Sequence, residues 1–277
     1  MAERYAVFGH PIGHSKSPLI HTWFAQQTAQ DLSYEAVDVP GEQFEKALAQ
    51  FLAAGGRGLN CTVPLKELAF KRADRCSQRA LSAKAVNTLR LEADGSLYGD
   101  NTDGIGLLRD LTVNLGLRLG DRRILLLGAG GASRGILQPL LEQRPAQLVI
   151  ANRTRERAEG LAADFADSGP VLGCGFDALA GRQFDLILNA TAASLSGDLP
   201  PLPSGLLAAD SYCYDLAYAS SPTAFVRWGR SQGAALAVDG LGMLVEQAAE
   251  AFYLWRGMRP VTADIIAGLE QQRSASG

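Results

Sequence analysis

The stretch Arg122-Arg123-Ile124-Leu125-Leu126-Leu127-Gly128-Ala129-Gly130-Gly131-Ala132-Ser133-Arg134-Gly135-Ile136-Leu137 decides the fold. An unbroken apolar run reads as a strand buried on both faces, glycines follow at once, and a helical pattern begins directly after them. Glycines at 128, 130 and 131 let the backbone turn tightly and come close to a ligand. A helix opening from such a loop offers unpaired N–H groups and a partial positive charge. Strand, glycine turn and helix in this order imply a dinucleotide whose pyrophosphate lies on Gly128, Ala129, Gly130, Gly131, Ala132 and Ser133. Ser133 takes the place of the usual third glycine, so strand and helix must pack around a slightly larger residue.

Downstream, strands are expected at AQLVIANR (146–153), FDLILNAT (184–191) and YCYDLAY (212–218), with LAVDG (236–240) closing the unit. Upstream, RYAVFGH, SPLIHTWFAQQTA, SYEAVDVP, EQFEKALAQFLAAGG and GRGLNCTVP read as β-α-β-α-β over residues 4–64. NTLRLEADGSLYGDN (87–101) reads as a hairpin turning at the two residues Asp94-Gly95. A helix follows, capped by Thr102 or Asp103. The helical tail segments LGMLVEQAAEAFYLWRGM and TADIIAGLEQQ are apolar on one face and must pack on something. PPLPSG (200–205) reads as an ordered loop and RSASG (273–277) as a frayed end.

A length of 277 residues favours two compact units, and 47% hydrophobic with 20% charged residues excludes a disordered chain. A net charge of −3 gives no general attraction for nucleic acid or anionic lipid, so neither is an expected partner. No stretch has the pattern of a signal peptide or the length of a membrane span, which makes the cytoplasm the expected location. Cys61, Cys76, Cys174 and Cys213 are scattered and read as free thiols. His10, His14 and His21 lie close together, but Pro11 and Gly13 break a helical spacing and no cysteine or carboxylate joins them; no metal is expected.

The end of the strand after the glycine loop discriminates between cofactors, because a carboxylate there would repel a 2′-phosphate. Here it reads Asn152-Arg153-Thr154: an uncharged hydrogen-bonding amide, a planar guanidinium and a hydroxyl. NADP(H) is favoured, against the plainer reading of Arg153, Arg155 and Arg157 as a solvated helix face. In Gly9-His10-Pro11-Ile12-Gly13-His14-Ser15-Lys16-Ser17-Pro18, two hydroxyls at 15 and 17 on a shaped loop before a helix suit a carboxylate, although Ser17 before Pro18 also suits a helix N-cap. Asn60-Cys61-Thr62-Val63-Pro64-Leu65-Lys66 ends a strand, where α/β sheets place ligands. Lys66 alone reads more readily as a solvated charge, and Asp103 as an N-cap or first-turn acid.

Taken together, GHPIGHSKSP (9–18), NCTVPLK (60–66), AVNTL (85–89), NTDG (101–104), GAGGAS (128–133), NRT (152–154), YDLAY (214–218) and DGLGMLVEQAA (239–249) resemble the shikimate dehydrogenase family over nearly the whole chain. The resemblance implies a fold of two α/β domains: an N-terminal substrate domain over 1–103, a Rossmann-type NADP-binding domain over 104–238, and C-terminal helices over 239–277 that pack back on the first. It implies reversible reduction of 3-dehydroshikimate to shikimate by NADPH, a step towards chorismate and the aromatic amino acids, carried out by a monomer or a homodimer. Ser15 and Ser17 then hold the substrate carboxylate, and Thr62, Asn87 and Gln247 surround the ring hydroxyls. Lys66 and Asp103 become the catalytic pair, and Tyr218 approaches the substrate. Arg157, Thr191 and Leu216 join the cofactor residues, and Gly240 lines the nicotinamide pocket. One departure is Thr191-Ala192-Ala193-Ser194-Leu195, where the family usually has threonine, serine, alanine and glycine; it bears on cofactor affinity. Two rival readings are a relative that also takes quinate, with NAD, and a non-catalytic NADP sensor. Retention of both Lys66 and Asp103 weighs against the sensor.

Overall fold

A computed structural model describes residues 2–191, 193 and 197–275. It divides into two compact units, residues 1–106 with 245–268 and residues 107–244 with 269–277. Three helices run across these boundaries: α5 (Asp103–Arg109), α9 (Leu241–Arg256) and the final helix. The last turns of the final helix, α10 (Ala263–Ala275), belong to the second unit, where Arg273 Nη1 meets Asp239 Oδ2 at 2.6 Å. That pairing keeps Arg273–Ala275 helical rather than frayed. Among the described residues no helix is long and apolar enough to cross a membrane.

The first unit holds a six-stranded sheet in the order β2-β1-β3-β5-β6-β4. Strands β1 (Glu3–Gly9), β2 (Leu32–Asp38) and β3 (Gly56–Cys61) are parallel, joined through helices α1 (Ser17–Gln27) and α2 (Phe44–Ala53). Strand β5 (Thr88–Leu91) pairs antiparallel with β3 and with β6 (Leu97–Asp100), and the short β4 (Arg75–Cys76) adds parallel to β6. This mixed direction has a functional consequence. The ends of β1, β3 and β6 and the start of β5 all lie along one edge of the sheet.

The hairpin between β5 and β6 forms, but its turn is larger than the two residues expected. Gly95 N donates to Glu92 O at 3.1 Å and Glu92 N to Ser96 O at 2.9 Å. Ala93 and Asp94 therefore occupy the turn centre, and Gly95, at φ +85°, takes the left-handed position that follows it.

The second sheet is wholly parallel in the order β12-β11-β10-β7-β8-β9. Its strands are β7 (Arg123–Leu127), β8 (Gln147–Ala151), β9 (Val171–Cys174), β10 (Phe184–Asn189), β11 (Leu207–Asp215) and β12 (Leu236–Asp239). This is the doubly wound order of dinucleotide folds, with the connection reversing between β7 and β10. Alternation along β7 explains its unbroken apolar run. Ile124 and Leu126 pack in one cluster with Ile136 and Leu140 of α6 (Gly131–Glu142). Leu125 and Leu127 pack in another with Phe225 and Val226 of α8 (Ala224–Ser231).

In the first unit His21 is fully buried, its ring stacked on Tyr34 with centroids 4.1 Å apart and ringed by Phe24, Phe252 and Trp255. Burial pushes its imidazole down to about 3, with the Asn60 amide opposing. The unfolded chain binds the proton near pH 6.5, so His21 contributes stability that is complete above that value and lost as pH falls towards about 3. Denaturant midpoints measured from pH 7 to pH 4 should therefore fall less steeply in His21→Phe than in the parent; equal slopes would contradict this.

Candidate functional site

The first site is built where the sheet edge gathers its loops. Phe8 O accepts Thr62 N–H at 2.9 Å and Val63 O accepts His10 N–H at 3.0 Å, so the loops after β1 and β3 run side by side. A Cβ on Gly9 would lie 2.4 Å from Thr62 Cγ2, which explains a glycine at that point. The loop after β1 brings Ser15 and Ser17 to this edge, where Ser15 Oγ accepts Ser17 N–H at 3.3 Å. Ser17 is not the N-cap. It is the first residue of α1, Lys16 holds the cap position without a side-chain bond, and Pro18 falls within the first turn, where its missing N–H costs nothing.

Lys66 opens α3 (Lys66–Arg72) beyond β3, and Asp103 opens α5 beyond β6. They meet with Lys66 Nζ 2.6 Å from Asp103 Oδ2, with side chains 28% and 13% exposed. Asn87, the residue just before β5, donates from Nδ2 to Asp103 Oδ1 at 2.9 Å. Asp103 is therefore a first-turn acid whose carboxylate also meets Lys66 and Asn87. Each of its oxygens has a donor, while the lysine retains access to a ligand. Gln247 of α9 places Oε1 3.5 Å from Asn87 Nδ2 and from Thr102 Oγ1. Gly106 permits this approach, since a Cβ there would lie 2.7 Å from the Gln247 backbone nitrogen. Ser15, Ser17, Thr62, Lys66, Asn87, Asp103 and Gln247 thus all belong to the first unit, whereas Tyr218 belongs to the second. Burial raises the Tyr218 phenol above its ordinary value.

In the second unit a cavity of about 970 Å³ opens at the ends of β7 and β10, the switch point of the sheet. Gly128, Ala129, Gly130, Gly131, Ala132, Asn152, Arg153, Arg157, Thr191 and Leu216 line it, as expected of a nucleotide site. A Cβ added to Gly130 or Gly131 would project into open space, so the bare backbone there suits a pyrophosphate. Ser133, Thr154 and Gly240 are not among the lining residues. Ser133 is fully buried and donates from Oγ to Gly128 O at 2.7 Å, fastening the loop from behind. The Thr154 carbonyl accepts Asn152 Nδ2–H at 2.9 Å, and the residue occupies the N-cap of α7 (Arg155–Asp164) without a side-chain bond. Gly240 is there for packing: a Cβ would lie 2.3 Å from Leu216 O. Of the divergent loop, Thr191 and Ala193 line the cavity, while Ala192, Ser194 and Leu195 lie outside the described residues.

Sequence reading missed Phe176, Asn189 and the wall Asp198–Pro201, all of which also line the cavity. Asn189 and Thr191 are fixed by Asp215. The buried Asp215 carboxylate accepts Asn189 Nδ2–H at 3.2 Å, and Asn189 Oδ1 accepts the Thr191 hydroxyl at 2.8 Å. The four cysteines are free, and among the described residues no group of three or more His, Cys, Asp or Glu could hold a metal ion.

A dinucleotide cradle on one α/β unit and a lysine–carboxylate pair on another define the class of dinucleotide-dependent dehydrogenases. Three family models match the chain: the shikimate dehydrogenase substrate binding domain over 7–89, shikimate / quinate 5-dehydrogenase over 111–196, and the shikimate 5'-dehydrogenase C-terminal domain over 240–267. A shikimate dehydrogenase (NADP(+)) of Methylococcus capsulatus is 65% identical over 271 residues, covering 98% of this chain and 97% of the relative. The crystal structure of an Ael1 enzyme from Pseudomonas putida is 50% identical with a TM-score of 0.90, covering 97% and 98%. That of the Thermus thermophilus shikimate 5-dehydrogenase in complex with NADP(H) and shikimate is 35% identical with a TM-score of 0.86, covering 98% and 99%. The chain belongs to the shikimate dehydrogenase family.

Gly128 supplies a test of the cradle. Its φ is +102° and a Cβ would lie 3.0 Å from Ala190 O. Gly128→Ala should lose about 1–3 kcal/mol of stability, read by denaturation, and bind NADP+ more weakly in titration. Unchanged values for both would show that neither strain nor close approach matters there.

Proposed function

We propose that this chain catalyses the reversible NADPH-dependent reduction of 3-dehydroshikimate to shikimate, on the route to chorismate and the aromatic amino acids. The observation that carries this reading is the Lys66–Asp103 pair, held by Asn87 at a sheet edge that also bears two serines. Residues 1–106 with 245–268 bind the substrate and residues 107–244 bind the cofactor. Ser15 and Ser17 donate to the substrate carboxylate, and Thr62, Asn87 and Gln247 face the ring hydroxyls. Arg153 meets the 2′-phosphate with its guanidinium, which a carboxylate at this strand end would repel.

When bound, NADPH supplies the hydride. As the ketone carbon gains it, negative charge develops on the oxygen, and Lys66 Nζ lies on the side chain able both to stabilise that charge and to donate the proton. Asp103 keeps the ammonium in place through Oδ2 while Asn87 holds Oδ1. In the reverse direction Lys66 accepts the hydroxyl proton.

Two outcomes follow. Lys66→Ala should lower kcat roughly 10²- to 10⁴-fold with little change in KM, because a proton donor acts mainly in the transition state. Arg153→Ala should weaken NADPH binding by about tenfold or more while leaving NADH binding nearly unchanged. An equal loss for both cofactors would place the 2′-phosphate elsewhere.

A further inference from the structure

Asn87 has two chemically different ends, and its surroundings admit one orientation. Its Oδ1 receives the Thr102 backbone N–H at 2.8 Å, and a backbone N–H can only donate. The atom facing it is therefore the oxygen. Nδ2 consequently faces Asp103 Oδ1 at 2.9 Å and Thr102 Oγ1 at 2.9 Å. Reversed, the amide would set a carbonyl oxygen against the Asp103 carboxylate.

Two hydroxyls also reach Asn87 Oδ1, that of Thr88 at 2.9 Å and that of Thr102 at 3.2 Å, the latter already accepting Asn87 Nδ2–H. Thr88 is fully buried and stands directly opposite Asn60 in the antiparallel β3–β5 pair. Asn60 Nδ2 donates to Thr88 Oγ1 at 3.0 Å and to Asn87 O at 3.1 Å, while Asn60 Oδ1 accepts the Tyr34 hydroxyl at 2.7 Å. Burial pushes the Tyr34 phenol well above its usual value, which keeps it an O–H donor. Because Asn60 approaches Thr88 as a donor, the single hydroxyl proton of Thr88 is left for Asn87 Oδ1 at 2.9 Å or Thr102 Oγ1 at 3.4 Å, and the shorter contact directs it at Asn87. The hydrogen bonds share one polarity, running from Tyr34 through Asn60, Thr88 and Asn87 to Asp103.

We propose that Thr88 is a positioning residue for the reaction: its hydroxyl, aimed by Asn60, holds the Asn87 amide so that Nδ2 stays on Asp103 and Asp103 stays against Lys66. This assignment rests on the reading of Lys66 and Asp103 as the proton-transfer pair. Thr88 lies one residue behind the site, where it contacts Asn87 rather than either member of the pair.

Thr88→Val keeps the shape and removes the hydroxyl, and Thr88→Ser keeps the hydroxyl. Steady-state shikimate oxidation would be measured for the parent, both variants, Asn87→Ala and the double variant Asn87→Ala/Thr88→Val. The expected results are a fall of about tenfold in kcat/KM for Thr88→Val, a value for Thr88→Ser within about twofold of the parent, and unchanged NADP+ affinity. On the Asn87→Ala background, Thr88→Val should cost nothing further, since the two residues act as one unit. If Thr88→Val does not fold, Thr88→Ala takes its place in the same cycle. Parent-like activity of the hydroxyl-free variant, an equal loss in Thr88→Ser, or the same tenfold loss on both backgrounds would each overturn the assignment. A parent chain that does not oxidise shikimate would instead refute the reading of the activity itself.

Discussion

Asp103 is bound at both oxygens, by Lys66 Nζ at 2.6 Å and by Asn87 Nδ2 at 2.9 Å, and the first unit is arranged to supply those two donors. Lys66 and Asp103 are 37 residues apart in sequence. They meet because β5 runs antiparallel between β3 and β6, which returns the chain to the sheet edge that β3 has just left. A fully parallel arrangement would send the residue after β6 to the same edge but would place the start of β5, and with it Asn87, at the opposite one. The mixed sheet is thus the physical condition for a bracketed carboxylate. Burial adds to its effect, because an ion pair with restricted water access holds its geometry better than one on an open surface.

The second unit works by a different constraint. Its parallel sheet leaves backbone groups of the β7–α6 loop facing a cavity, and small residues keep that backbone bare. Rigidity comes from behind the loop rather than from the residues that line it. Ser133 ties its hydroxyl to Gly128 O, and Asp215 fixes Asn189 and, through it, Thr191. The replacement of the third glycine by serine is therefore accommodated with a hydrogen bond in place of a closer helix–strand contact.

Much of this was legible in the sequence where two independent signals coincided. The apolar run at 124–127 followed by glycines declared both the buried parallel strand and the nucleotide loop. Strand β9 gave no such signal, since Val171–Cys174 is a short edge strand with only half-buried or exposed residues and carries no periodic pattern. The turn at Asp94-Gly95 was read one size too small, because a favoured dipeptide sits equally well at the end of a longer turn as at the centre of a short one. Lys66 and Asp103 were each unremarkable alone and acquired roles only from the family resemblance. Thr88 and Asn60 were invisible for a different reason. A polar residue within a strand normally marks a solvent face, and only the cross-strand register shows that these two are buried against each other. Phe176 and the wall at 198–201 reach the cavity from loops whose paths no local pattern specifies.

The most direct test is to follow NADPH absorbance with purified protein and 3-dehydroshikimate, beside NADH in the same direction and quinate in the reverse. The proposed activity requires rapid loss of NADPH that NADH does not match, with negligible oxidation of quinate. NADPH binding without turnover would contradict it and indicate a sensor or a different substrate.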